Sequence, residues 1–164
     1  MNTGQMLITV AAMVLLATLI LRMNNTFSNS TDTVYDSKFA ILATSLGNSI
    51  IEEASDKSFD EATDSIAVSS LNDLTPSGSL DPESGEVYPN FNDVDDYNGF
   101  VKVDSTLPSA VFKATCKVDY VNPNSPEVTS TARTWTKRIS VTITSISMAD
   151  TVRLSSLYSY WVFR

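Results

Sequence analysis

Four oxygen-bearing side chains in one short stretch form the most plausible ligand-binding group of the sequence. They are Asp93, Asp95, Asp96 and Asn98. Carboxylate and amide oxygens suit Ca²⁺, but the spacing does not match an EF-hand: with Gly99 as the loop glycine, Ser105 falls where a bidentate glutamate is required. Two hypotheses follow, a non-EF Ca²⁺ site and a solvated turn that caps the next strand, and we favour the second.

The remaining functional groups argue against catalysis. The 164 residues include no histidine and a single cysteine, Cys116, so the commonest general base is missing and no intramolecular disulfide can form. Paired carboxylates such as Glu52 and Glu53 face apart on a helix, and no nucleophile, base or phosphate loop accompanies them. We therefore expect no enzyme activity and no cofactor.

The charge balance restricts the class of partner. The net charge is −8 and the pI is near 4.3. Nucleic acids and anionic lipid surfaces are bound by clustered Lys and Arg, which this chain does not supply. We expect no nucleic-acid partner.

The N-terminal stretch is the most distinctive part of the sequence. Residues 1–21 contain no charged side chain, and the run from Met6 to Leu21 is apolar except for Thr9 and Thr18. A helix of this length spans roughly 30 Å, which matches the hydrocarbon core of a bilayer. The basic region and small-residue cleavage site of a secretory signal are both missing, so we predict a helix that is retained in the working protein.

The sequence predicts that this helix continues to about residue 55. No proline precedes residue 55, and apolar residues recur at helical spacing in the second half. The predicted buried face comprises Tyr35, Phe39, Leu42, Leu46 and Ile50. Between residues 24 and 33, Asn, Ser and Thr side chains compete for the backbone, so a local break in the helix is equally expected. Residues 1–23 thus form an apolar half and residues 24–55 an amphipathic half.

Residues 56–164 are predicted to form a globular head. Residues 56–108 are predicted to be connecting loops with a short helix near residues 60–67. Pro, Gly, Asn and Asp interrupt any regular spacing of apolar residues there. Beyond them the apolar period changes to two. Strands are predicted over residues 112–120, 131–147 and 151–163, and residues 100–103 add an edge strand.

Details of these strands are also predicted. Alternation places Cys116 on the buried face of the first strand, and places Trp135, Ile139, Val141 and Ile143 together on one side of the second. The loop over residues 122–126 is expected to stay unpaired, and a change of phase near Ser145 predicts a bulge. The fold class is therefore α+β, with the amphipathic half of the helix covering an antiparallel sheet.

This plan resembles a bacterial type IV pilin or a pseudopilin, on the residues from Met1 through Arg22 and on the overall architecture. In that family a prepilin peptidase removes a short leader, N-methylates the new first residue, and usually leaves a glutamate in fifth place. Gln5 is fifth if Met1 is the mature first residue, which we prefer; a cut after Gly4 would make Thr9 fifth. The usual kinking proline and C-terminal disulfide loop are missing.

The resemblance implies a structural subunit of an extracellular filament used for adhesion, motility or surface attachment. Its partners would be copies of itself, inner-membrane lipid before assembly, and the prepilin peptidase and pilus assembly machinery. Small residues in the apolar half would let neighbouring helices approach closely. The implied assembly residues are Met1, Gly4, Gln5, Met6, Leu7, Ile8, Thr9, Val10, Ala11, Ala12, Val14, Leu15, Leu16, Leu19 and Ile20. Two alternatives remain: a minor pilin or pseudopilin of a secretion system, and a monomeric, single-pass anchored binding domain.

Overall fold

The computed structural model describes residues 2–106 and 110–160, without the side chains of residues 28–32. Its first element is one long helix, α1, Thr3–Ser55. The expected break over residues 24–33 does not occur. Thr26 and Ser37 show why polar residues are tolerated, because each hydroxyl donates to the carbonyl four residues earlier, on Arg22 and Thr33, at 2.9 Å. The chain divides into two compact units, Met1–Lys38 and Phe39–Arg164.

The second unit contains an antiparallel sheet, which confirms the α+β prediction. Among the described residues the strands are β1, Val101–Asp104; β2, Phe112–Asn122; β3, Ser125–Thr129; β4, Thr136–Ser145; and β5, Val152–Ser159. Their order is β1-β2-β4-β5, and β3 pairs with the end of β2. The predicted edge strand and three-stranded meander are therefore both present. A short helix, α2, Glu61–Ser65, lies within the predicted range 60–67.

The core of this unit lies between the sheet and residues 39–54 of α1. Phe39, Ala43, Ile50 and Ala54 are buried on the helix, and the strands supply the facing side chains Phe112, Ala114, Cys116, Val118, Ile139, Val141 and Ile143. Tyr35, which was predicted on the same helix face, is 52 % exposed. Helix and sheet approach closely at Gly47, where an added Cβ would lie 2.6 Å from Leu154 Cδ1. The prediction for Cys116 is confirmed, and burial followed by the charge of Glu53 raises the pKa of its thiol to about 12.

Three strand predictions are wrong. The second predicted strand was expected to begin at residue 131, but β4 begins at Thr136, and Trp135 lies just before it, half-buried. The loop over residues 122–126 is a paired hairpin, in which Asn122 lies opposite Ser125 and Pro126 belongs to β3. Because β3 pairs only with β2, this strand tolerates a proline. The expected bulge near Ser145 is the end of β4: the β2–β4 register runs unshifted to Ser145, and Ile146 beyond it is 99 % exposed. Residues 161–163, the end of the predicted last strand, lie outside the described residues.

Candidate functional site

The first candidate site is the apolar segment, defined as Thr3–Phe27 of α1. It is long and apolar enough to cross a membrane, and none of its most apolar 18 residues is buried. Its large side chains are between 54 and 73 % exposed; they are Met6, Leu7, Ile8, Val10, Met13, Val14, Leu15, Leu16, Leu19, Ile20 and Leu21. Apolar surface of this extent favours transfer out of water at about 25 cal/mol per Å².

The polar groups of the apolar segment fit such surroundings. Thr9 Oγ1 donates to Met6 O at 2.9 Å and Thr18 Oγ1 donates to Leu15 O at 2.8 Å, so both hydroxyls are satisfied inside the helix. A Cβ built on Gly4 meets nothing within 4 Å, so this surface is open to close approach. Gln5 is exposed. Met1, the other predicted residue at this end, lies outside the described residues.

The second candidate site is the stretch from Asp93 to Asn98, and here the favoured hypothesis of a solvated turn is wrong. Asp93, Asp95 and Asp96 are 0, 1 and 0 % exposed. The stretch folds into a one-turn 3₁₀ helix, Asp95–Tyr97. Val94 and Tyr97 are themselves fully buried, and these apolar side chains draw the intervening carboxylates into the interior.

The carboxylates of this turn organise its own backbone. Asp93 Oδ1 accepts from the N–H groups of Asp95 and Asp96 at 2.7 and 3.2 Å. Asp96 Oδ2 accepts from the N–H groups of Asn92 and Asp93 at 2.9 and 3.2 Å. Backbone bonds between Val94, Asn92 and Ser58 tie the turn to the chain that follows α1. One oxygen of Asp93 and one of Asp96 are thereby used.

Asp95 belongs to a different arrangement, a buried ion-pair network centred on Lys137. Lys137 Nζ lies 2.8 Å from Asp60 Oδ2 and 2.7 Å from Asp95 Oδ1, and it donates to Phe59 O at 2.7 Å. All three charged side chains are buried. Nζ also lies 4.4 Å from the centroid of the Phe59 ring. A buried ammonium with three acceptors in a polar and aromatic cage is electrostatically compensated.

The same lysine affects its two carboxylates unequally. Burial opposes ionisation of Asp60, but Lys137 and the backbone N–H groups of Thr75 and Ala62 outweigh it and hold the pKa of Asp60 below its usual value. At Asp95 burial dominates and raises the pKa to about 7, although Lys137 lowers it. The difference follows from burial, which dominates at Asp95 together with the charges of Asp60 and Glu83, and from the two backbone N–H groups that donate to Asp60.

Asn98, the fourth predicted ligand, is committed to the fold. Its Oδ1 accepts from Val118 N at 3.0 Å and its Nδ2 donates to Leu80 O. Of the four predicted ligands, Asp95 and Asn98 are therefore engaged with protein partners. Asp93 and Asp96 each retain one buried oxygen, Oδ2 and Oδ1 respectively, without a hydrogen-bond partner among the described residues.

Sequence reasoning overlooked Lys137 and Asp60. A signal for Lys137 was present, because it shares the parity of Ile139 and Val141 and so points to the buried face of β4. No comparable signal marked Asp60, which lies in the predicted loop region. No family model, curated protein or solved structure matches the chain.

Proposed function

We propose that the chain is a structural subunit of an extracellular, pilus-like filament and that it polymerises through the apolar segment. The supporting observation is that no residue of the most apolar 18-residue stretch of this helix is buried, although water solvates such a surface poorly. Before assembly this segment would lie in the inner membrane. In the filament, copies of the same helix would replace the lipid.

The composition of the segment favours association between helices. Lipid tails and a bundle of apolar helices are similarly apolar, so the transfer between them does not expose the segment to water. Association then depends on close packing. Gly4, Ala11 and Ala12 present small side chains on an exposed helix, and the open space beside Gly4 gives a neighbouring helix room to approach.

The two alternatives make different observable predictions. A minor pilin or pseudopilin has the same apolar segment but occurs in traces, whereas a major subunit dominates sheared surface fibres. A single-pass anchor holds a monomer in lipid and forms no fibre. Electron microscopy and composition of sheared surface material separate these three cases.

A substitution distinguishes assembly from anchoring within the same segment. Gly4→Leu makes the helix more apolar, so membrane insertion is retained, but the bulkier side chain prevents close approach. We expect the variant to remain in the membrane fraction and to lose its filaments. The control Leu16→Ile keeps both apolarity and volume and retains filaments. Native material that consists solely of dispersed, lipid-embedded monomers would refute the proposal.

A further inference from the structure

Lys137 and Asp95 place an amine nitrogen and a carboxyl carbon at reacting distance. Lys137 Nζ lies 2.7 Å from Asp95 Oδ1 and 2.8 Å from Asp95 Oδ2. When one nitrogen lies this close to both oxygens of a carboxyl group, the carbon between them falls within the roughly 3–3.5 Å that separates atoms poised to react. The nitrogen therefore faces the carbon Cγ of Asp95 as well as its oxygens.

The two carboxyl groups that contact Lys137 differ in their other hydrogen bonds. Four further donors surround Asp60 at 3.0 to 3.2 Å, namely Ala62 N, Thr75 N, Thr75 Oγ1 and Tyr120 OH. Among the described residues, the side chain of Asp95 accepts from Lys137 alone. Asp60 is therefore fixed in place, whereas Asp95 can be modified without the loss of a second hydrogen bond.

The protonation states of the two carboxyl groups suit the condensation of an amine with an acid. Burial raises the pKa of Asp95 to about 7, although the charge of Lys137 lowers it, so the neutral carboxylic acid is populated near neutral pH. An amine attacks this neutral form, because a carboxylate repels a nucleophile. Asp60, whose pKa lies below its usual value, is ionised, and its Oδ2 lies 2.8 Å from Nζ, where it can accept a proton.

Water is excluded from these groups, which favours condensation over the reverse reaction, hydrolysis. The side chains of Lys137, Asp60 and Asp95 are all buried. The centroids of the Phe59 and Tyr120 rings lie 4.4 and 5.1 Å from Nζ. Formation of an amide also replaces a buried ammonium and a buried carboxylate with neutral groups, which removes the cost of keeping two charges out of water.

We propose that Lys137 Nζ and Asp95 Cγ form an intramolecular amide cross-link in the folded chain. The ion pair is the arrangement from which the reaction starts. The ammonium passes one proton to Asp60, and the resulting amine attacks Cγ of protonated Asp95. The C–OH bond of Asp95 breaks, the hydroxyl leaves as water with the proton from Asp60, and Asp60 takes a proton from the new amide nitrogen. One C–N bond replaces one C–O bond, and no oxidant or further reactant is needed.

The cross-link joins β4 to the 3₁₀ helix Asp95–Tyr97, between residues 42 positions apart in the sequence. A covalent bond that closes a loop of this length lowers the entropy of the unfolded chain, as a disulfide does. This chain has a single cysteine, so it forms no intramolecular disulfide. The inference does not depend on the filament proposal, because all the reacting residues belong to the second unit.

Mass spectrometry of the full-length chain tests the proposal. The chain is purified in detergent, unfolded in guanidinium chloride and digested with trypsin. We expect a branched peptide in which Lys137 is joined to Asp95, with a mass one water below the sum of the two unmodified peptides. Lys117 and Asp119 provide an internal control, since they bring the same groups to 2.9 Å in contact with water and should stay unmodified.

Two variants separate the chemistry from the fold. Lys137→Arg keeps the cation but presents a delocalised guanidinium, which does not attack a carboxyl carbon. Asp60→Asn removes the proton acceptor and preserves its shape. Both variants should lose the branched peptide while their circular dichroism spectra match that of the native chain, and the control Lys117→Arg should retain it.

The digest of the native chain decides the question even where a variant fails to fold. The proposal is supported if the fragmentation spectrum of the branched peptide places the bond between Lys137 and Asp95. It is overturned if folded native material yields Lys137 unmodified, or if Lys137 is joined to Asp60 instead.

Discussion

The apolar segment and the acidic turn of the head depart from ordinary protein architecture in opposite directions. The apolar segment exposes side chains that water solvates poorly, whereas residues 93–96 bury three carboxylates that water would solvate well. Within the described residues, nothing covers the apolar surface, and nothing donates a hydrogen bond to Asp93 Oδ2 or Asp96 Oδ1. Apolar surface is non-directional and is stabilised by any apolar surroundings, whereas a buried carboxylate is stabilised by a donor or a charge at one position. The two regions therefore differ in how specific their surroundings must be.

The Lys137 network provides the reference state for this comparison, because it is a buried charge cluster that the chain does compensate. Replacing this lysine, as in Lys137→Met, leaves Asp60 and Asp95 buried without their cation, and we expect a loss of about 3–5 kcal/mol in the free energy of unfolding. Urea unfolding of the full-length chain in detergent measures it. Lys117→Met is the matched control, since the Lys117 side chain is 64 % exposed in its pair with Asp119 and should contribute at most about 1 kcal/mol. Equal losses in the two variants would contradict the assignment.

A charged side chain introduced into the apolar segment tests whether this segment lies in apolar surroundings. Leu15 is 69 % exposed, and Leu15→Lys should disfavour membrane insertion by about 3 kcal/mol because a lysine is poorly accommodated in hydrocarbon. The fraction of chain recovered with membranes, and the number of filaments, should both fall. Leu15→Ile serves as the control and should change neither. Unchanged recovery of the lysine variant would indicate that the segment does not lie in an apolar environment.

Two glycines, Gly47 within α1 and Gly78 in the loop region that follows it, compare filled with open surroundings. Gly47→Ala would place a Cβ 2.6 Å from Leu154 Cδ1 and 2.8 Å from Ile143 Cδ1, so we expect a loss of about 1–3 kcal/mol from overpacking. Gly78→Ala, which meets nothing within 4 Å, should change the unfolding free energy by less than about 0.5 kcal/mol. Thermal or urea unfolding of both variants gives the comparison. Equal stability would show that Gly47 is not closely packed.

The smallest expected effect concerns Gln5, the polar residue of the apolar segment for which we propose a role in register. Its amide would hydrogen-bond the N-terminus of an adjacent subunit, a neutral interaction of about 0.5–1.5 kcal/mol. Gln5→Ala should therefore raise the critical concentration for assembly by roughly two- to tenfold, and Gln5→Glu, which restores a charge-assisted bond, should lower it. Sedimentation of filaments measures both. A filament structure with Gln5 beyond hydrogen-bonding distance of every polar group of the neighbouring N-terminus would exclude this role.

Local composition was sufficient to identify α1 and the strands β1, β2, β4 and β5, but not β3. The uncharged run that ends at Leu21 is helical from Thr3, and its exposed large side chains are apolar. Alternation likewise placed Cys116, Ile139, Val141 and Ile143 on buried faces, because side chains on a strand have a period of two. The predicted break over residues 24–33 failed since helical hydroxyls bond back to their own helix, as Thr26 does.

The surroundings of the acidic residues could not be predicted in the same way, because the burial of a carboxylate depends on elements that are distant in the sequence. Lys137 meets Asp60 across 77 residues and Asp95 across 42, and no local pattern around any of the three encodes that meeting. The sequence showed oxygen donors near Gly99. Asp95 is engaged by Lys137 and Asn98 by Val118, whereas Asp93 and Asp96 each keep one buried oxygen without a hydrogen-bond partner among the described residues, and this division depends on tertiary packing. Secondary structure and apolar surface follow from neighbours along the chain, whereas the electrostatic surroundings of a charge follow from neighbours in space.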